Sequence, residues 1–308
     1  MTPSAQPKLL TVKTVIPDEN ETPAGLLARW LRRQLPDAAK NWLDGQLDKL
    51  GPGYSERDLH IALGMAPRRL GRENLRLSDE DLRAARSVRP GWDGHEWSVD
   101  QAARILLLCR AAEEDRDFPN RFADLCRSAD AAEAVALYRG LPLYPWPERL
   151  ERQAAEGVRT NMRAVFEAVA HRNPYPCEHF DENRWNQMVL KAVFIGSALH
   201  PIQGLDDRNN AELALILCDY AHERWSAGRA VTPELWRCVG RFADTAAIDD
   251  LRRVVETGSP VEVKAAALAL AASDHEGADA ILWSVPAMAR DLADGGLTWQ
   301  SLTAELEA

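Results

Sequence analysis

From Ala24 onward the chain repeats apolar side chains at helical spacing, and only proline and glycine clusters interrupt the rhythm. Leu26, Leu27, Trp30 and Leu31 precede Pro36, and Trp42, Leu43, Leu47 and Leu50 carry the face on to Gly51-Pro-Gly53. A 3.6-residue period builds amphipathic helices, whereas a half-buried strand needs strict alternation. Strand-forming residues run together almost only in residues 9–16, LLTVKTVI. The expected fold is therefore all-α: packed antiparallel helical pairs in an irregular HEAT-like solenoid or a helical bundle. Residues 1–23, with several prolines and a polar DENET run, read as an irregular N-terminal arm. Residues 24–308 read as a single all-α domain, and the turn at 90–97 is where it could divide.

Start and stop signals place the helices. Ser55 is expected to cap a short helix through Leu63, and Ser78 sets up an acidic first turn, Asp79-Glu80-Asp81. Ser98 with Gln101 forms a capping box for a helix from Val99 to about residue 114. Two shorter helices follow, over 120–126 and 129–137. After the stiff crossing LPLYPWP (141–147), one helix is expected from Glu148 to about Ala170. Thr232-Pro233-Glu234 reads as a cap with proline at the first helical position. Residues 247–273 suggest one HEAT-like pair turning at Gly258-Ser-Pro260, although no clean repeat period runs through the chain.

The stretch from Asn173 to Arg229 concentrates the chemistry. Asn173-Pro174 and Tyr175-Pro176 push its start into an extended path. Asp181 then caps a helix expected to reach about Leu199, with Trp185, Met188, Val189, Ala192, Ile195 and Leu199 on its buried face. Leu190, Val193 and Phe194 widen the apolar surface, so this helix is expected to be buried nearly all round. A polar stripe of Asn183, Gln187 and Lys191 at i,i+4 spacing interrupts it. Asn209 with Glu212 resembles a capping box for the next helix, on which Glu212, Asp219, His222 and Glu223 share a face. The lysine and amides of the first helix are expected to meet the carboxylates and histidine of the second. Asn186, Asp206, Arg208, Asn209 and Arg224 complete this set of candidate ligand-binding residues.

Three chemistries are open to these residues. Asp219, His222 and Glu223, aided by His179 or by Glu178, Asp181, His200, Asp206 and Asp207 in the preceding turns, offer metal-ligating types. Their spacing matches neither His-Glu-x-x-His nor paired Glu-x-x-His helices, so no metal is expected. Ion pairs of Asp219 and Glu223 with Arg224, Arg208 or Lys191 are expected instead. Acid–base work is the second option, because a desolvated Lys191 and a near-neutral His222 beside Asp219 and Glu223 could move protons. A plain Lys191–Asp219 or Lys191–Glu223 bridge competes with it. Third, the ten tryptophans point to aromatic contacts: Trp185 reads as core, while Trp92 and Trp146, in Gly/Pro turns, read as contact residues. Cys177, beside Glu178 and His179, has nothing to orient it as a nucleophile and reads as a small buried residue.

Several consecutive phrases carry a family resemblance. Asn173-Pro-Tyr-Pro176, Trp185-Asn-Gln-Met-Val-Leu-Lys-Ala192, Gly204-Leu-Asp206, Asp219-Tyr-Ala-His-Glu-Arg-Trp225 and Pro233-Glu-Leu-Trp236 resemble the EboA family of bacterial proteins. Pro90-Gly-Trp-Asp93, Ser98 to Arg104 and Arg149 to Phe166 extend the likeness over most of the chain. The resemblance implies a metabolite-traffic role in a secondary-metabolite pathway. It also implies genes beside a prenyltransferase-like membrane protein and sugar-phosphate-type enzymes, hence protein partners from the same gene cluster.

Charge and composition narrow the partners. A net charge of −10 argues against nucleic acid, whose binders carry a basic footprint. No apolar run nears the roughly 20 residues of a membrane span, and the N-terminus lacks the apolar core of a secretion signal. The five cysteines are scattered, with no Cys-x-x-Cys pair, so a reducing cytoplasm without a disulfide framework is expected. No motif calls for a cofactor. The leading expectation is an accessory protein that binds or hands on a small metabolite or a partner. The alternative is an isomerase, lyase or metal-dependent hydrolase with its site between helices 181–199 and 209–226. A third is a scaffold presenting Trp92, Trp146 and the prolines to another protein.

Overall fold

The computed structural model describes residues 21–113 and 115–307. Among them are nineteen α-helices and no strand, so the fold is all-α. Two isolated bridges, Asn74–Ser98 and His171–Ile202, tie loops together. The strand-like run at 9–16 and nearly all of the expected arm lie outside the described residues.

In the N-terminal part, α1 (Pro23–Gln34), α2 (Asp37–Lys49) and α3 (Glu56–Leu70) pack against α5 (Val99–Ala112), and α4 (Asp79–Val88) packs against α1. Twelve of the fourteen residues of α5 are buried, including the Asp100–Arg104 ion pair at 3.2 Å. Ser55 and Ser78 accept N–H bonds from the first turns they precede and Ser98 forms its box with Gln101, as expected, while Thr22, at the end of the expected arm, caps α1. The third helix runs past its expected end at Leu63 through Pro67. Proline removes the N–H that would have bonded the carbonyl four residues back. That carbonyl, of Leu63, accepts instead from Arg104 Nε at 3.0 Å, which explains why a charged side chain is buried here. The 90–97 turn also departs from expectation. Trp92 and Trp97 are buried, and Trp92 stacks between Trp30 and Trp97 at 5.1 and 6.2 Å, so Trp92 is a core residue rather than a contact residue.

The middle of the chain comprises α6 (Phe118–Ser128), α7 (Ala131–Arg139), α8 (Glu151–Arg159), α9 (Arg163–Ala170) and the short α10 (Tyr175–His179). The single helix expected over 148–170 is two, broken at Thr160-Asn-Met162 and folded so that α8 and α9 pack on each other. No glycine or proline marks that break, which is why the sequence hid it. Gly157 permits the tight fold: a Cβ there would come within 2.7 Å of the Tyr138 ring and 2.9 Å of Val169.

The central pair is α11 (Glu182–Ile195) and α13 (Ala211–Ser226), separated by the one-turn α12 (Leu205–Arg208). Asp181 caps α11 as expected, but the helix stops four residues short of Leu199 because Gly196 turns left-handed at φ 67°. Asn210, not Asn209, caps α13. Nor is α11 buried all round, since Phe194 is 74% exposed. Beyond lie α14 (Leu235–Val239), α15 (Thr245–Thr257), α16 (Pro260–Ala271), α17 (Ala278–Trp283), α18 (Pro286–Ala293) and α19 (Trp299–Glu307). Pro233 precedes α14 rather than opening it. Buried Glu234 instead receives the N–H groups of Leu199 and His200, both at 2.9 Å. The pair α15–α16 turns at Gly258-Ser-Pro260 as expected, and α16 packs against α14, α15, α17, α18 and α19. One continuous cluster of buried apolar residues runs from Leu26 to Leu302.

Candidate functional site: a groove between α8 and α11

The polar stripe foreseen on α11 faces α8. Asn183, Gln187 and Lys191 line a groove of about 510 Å³ whose other wall is Ala155, Val158 and Arg159, with Phe180 and Arg184 at one end. The amides of Asn183 and Gln187 are exposed, as i,i+4 spacing along a groove-facing side requires. Lys191 Nζ donates to the carbonyls of Val158 and, at 2.7 Å, Thr160, and lies 5.6 Å from the Phe166 ring centre. The ammonium thus sits where the last turn of α8 presents unpaired carbonyl dipoles, a position that favours a cation. Burial pulls its pKa below the ordinary lysine value. Of the three cations on the groove, Arg184 is paired with Glu151 and Asp181, and Arg159 with Glu156. Lys191 has no carboxylate partner among the described residues, which leaves its charge available to a ligand.

The match to known proteins agrees with the phrases read from the sequence. Residues 24–240 match the model of a family described as metabolite traffic protein EboA. The chain belongs to the EboA family. No curated protein and no solved structure matches it. Both walls of the groove lie within the EboA match, whereas α15 to α19 lie beyond it. No helix among the described residues is long and apolar enough to cross a membrane.

Other candidate residues of this EboA-family chain are dispersed. Lys191 bonds toward α8, whereas His222 bonds Asp250 of α15, at 2.7 and 2.8 Å to its two oxygens. The expected meeting of Lys191 with Asp219, His222 and Glu223 is therefore not formed, nor is a Lys191 bridge to either carboxylate. Asp219 and Glu223 are exposed and make no ion pair among the described residues, so the expected network with Arg224, Arg208 or Lys191 is absent too. Arg224 donates instead to the Ala230 carbonyl, and Arg208 to those of Cys177 and Phe180 while lying over Trp185. Asp250 was the partner that sequence reasoning missed, because it lies 28 residues beyond His222. Burial raises the Asp250 carboxyl above the usual range, against the opposing pull of His222.

The remaining candidates hold the fold. Asn186 is buried and exchanges amide hydrogen bonds with Asn210 at 2.9 and 3.2 Å, locking α11 to the cap of α13. Asp206 forms a two-pronged pair with Arg237, and Asn209 donates to the Arg237 carbonyl. His179 stacks on Tyr175 near Glu178, whose own partner is Arg89. Trp146 is half-buried, with left-handed φ 52° before the 147–149 turn. Among the described residues no group of three or more His, Cys, Asp or Glu side chains is arranged to hold a metal. One grouping went unforeseen: Ser197 Oγ donates to Glu167 at 2.8 Å and lies 3.2 Å from His171 Nε2. Its carboxylate engages the hydroxyl rather than orienting the imidazole, so it lacks the order that a nucleophilic triad requires.

Proposed function

We propose that this chain is a metabolite-binding accessory protein of a secondary-metabolite pathway in the cytoplasm, and that its ligand occupies the α8–α11 groove. The carrying observation is Lys191, a half-buried ammonium on the groove wall that bonds main-chain carbonyls and has no carboxylate partner among the described residues. Asn183 and Gln187 both donate and accept hydrogen bonds, suiting hydroxyl and carbonyl groups, and Lys191 suits an acidic one. Val158, Ala155 and Phe180 offer the apolar side that ligand sites combine with a few fixed polar groups. The EboA family description favours binding and hand-over above turnover. A HEAT-like stacking of pairs such as α15–α16 is the architecture in which we place this groove.

Native mass spectrometry of the protein purified from its own host tests the reading. The wild type is expected to retain an organic molecule, Lys191→Ala to lose at least tenfold of it, and Gln187→Ala, whose bond is to a neutral group, to lose severalfold. A hydrogen bond to a charged group contributes about 1.5–3 kcal/mol, and about 1.4 kcal/mol is tenfold in affinity. Retention unchanged in both variants would remove the groove as the site. Gln187, exposed and free of structural bonds among the described residues, separates ligand loss from damage to α8.

A further inference from the structure

The helix α8 walls a second, larger groove. Arg152, Gln153, Glu156 and Gly157 recur at i,i+1,i+4,i+5 and face away from Val158, toward α6, α7 and the start of α9, and the Glu156–Arg159 pair forms the ridge between the two grooves. This groove measures about 810 Å³. Its floor holds the buried Tyr138 phenol, which accepts from Gln153 Nε2 at 2.8 Å, beside the Cys126 thiol. Burial pushes that thiol up to about 12, so it is a protonated, inert wall rather than a nucleophile. Ala123, Ala129 and Val165 supply apolar surface, and Met162, 48% exposed, forms a flexible lip.

The charges on this groove are unbalanced in a specific way. Both of its carboxylates are taken: Asp124 by Arg127, and Glu156 by Arg159. Arg149 and Arg152 form no ion pair among the described residues, and Arg149 donates only to the Arg116 carbonyl. In a chain of net charge −10, two uncompensated guanidinium groups on this groove favour an anion. We propose that this groove is a second binding site, for an amphipathic organic anion. Its acidic group pairs with Arg149 and Arg152, and its apolar body lies over Ala123, Ala129 and Val165. The site is distinct from the α8–α11 groove and does not depend on its occupancy.

The test is fluorescence titration of the full chain with 8-anilino-1-naphthalenesulfonate and its uncharged analogue N-phenyl-1-naphthylamine. Saturable binding of one sulfonate probe per chain at this groove is expected. In the Arg149→Ala/Arg152→Ala double variant the affinity ratio of charged to uncharged probe should fall at least tenfold. Arg152→Glu, at an exposed position, should lower it further in the same direction, and Ala123→Phe should block both probes. Gln187→Ala, on the α8–α11 groove and free of structural bonds among the described residues, should change neither. The proposal is overturned by the absence of saturable sulfonate binding, by a ratio indifferent to the arginines, or by binding lost on Gln187→Ala. Circular dichroism melting of each variant confirms that the fold compared is the same.

Discussion

Single residues matter most here where the fold takes a charge out of water. Asp81 is the clearest case: its side chain is 7% exposed and carries two roles, closing the capping box with Ser78 and receiving both prongs of Arg33. Burial alone would raise its pKa, but the Arg33 guanidinium and the Ser78 N–H and hydroxyl outweigh it and hold the carboxyl down at about 2. A folded pKa below the unfolded value of about 3.9 gives stability that is complete above pH 4 and lost as pH falls toward 2. Asp81→Asn should therefore cost about 2 kcal/mol at pH 7, and the gap to wild type should shrink to a fraction of that as pH falls through about 2, as urea unfolding at pH 7 and near pH 2 would show. The acidic first turn after Ser78 was legible, because Asp79, Glu80 and Asp81 follow it directly. Arg33 was not, since it arrives from 48 residues away. The same divide explains the candidate site. The stripe Asn183–Gln187–Lys191 is a local spacing and reads directly, whereas the His222–Asp250 bond is a tertiary event.

Elements show a second kind of limit. Helix starts were legible at Ser55, Ser78, Ser98 and Asp181, where a polar residue precedes a clear helical pattern, but two adjacent asparagines left the cap of α13 one residue off. The break between α8 and α9 was not, because packing on Tyr138 and Val169 imposes it rather than any turn residue. That break matters to function, for it ends α8 where Lys191 can meet its carbonyls. Close approach also governs the C-terminal hub. At Gly240 a Cβ would lie 2.4 Å from the Ala269 carbonyl oxygen and 2.7 Å from its Cα, so backbone meets backbone across α16. Alanine-rich α16, with Ala265, Ala266, Ala267 and Ala269 buried, permits that approach. Gly240→Ala has no flexible side chain to push aside and should cost about 1–3 kcal/mol by overpacking. Chemical denaturation should show a lower midpoint with an unchanged slope.

At the scale of the whole molecule the question is whether the EboA-matched residues stand alone. The match ends at residue 240, yet the last helix inside it, α14, buries Leu235, Trp236, Cys238 and Val239 between α13 and α16. His222, on α13, likewise depends on Asp250 beyond the match. The apolar cluster passes through this boundary without a gap. Each large side chain reopened to water costs about 1.5–3 kcal/mol, and a domain's entire stability is only about 5–15 kcal/mol. We therefore propose that residues 24–308 fold as one cooperative unit, and that a chain ended after Gly240 will not form the native state. It should elute as aggregate or as an expanded species in size-exclusion chromatography and lose the sharp thermal transition of the full chain. A monodisperse, cooperatively melting product would instead make α15–α19 a separate unit. In that case α16 would be a removable cover on α14, and both grooves beside α8, which draw no residue from beyond 240, should keep their ligands in the shortened chain.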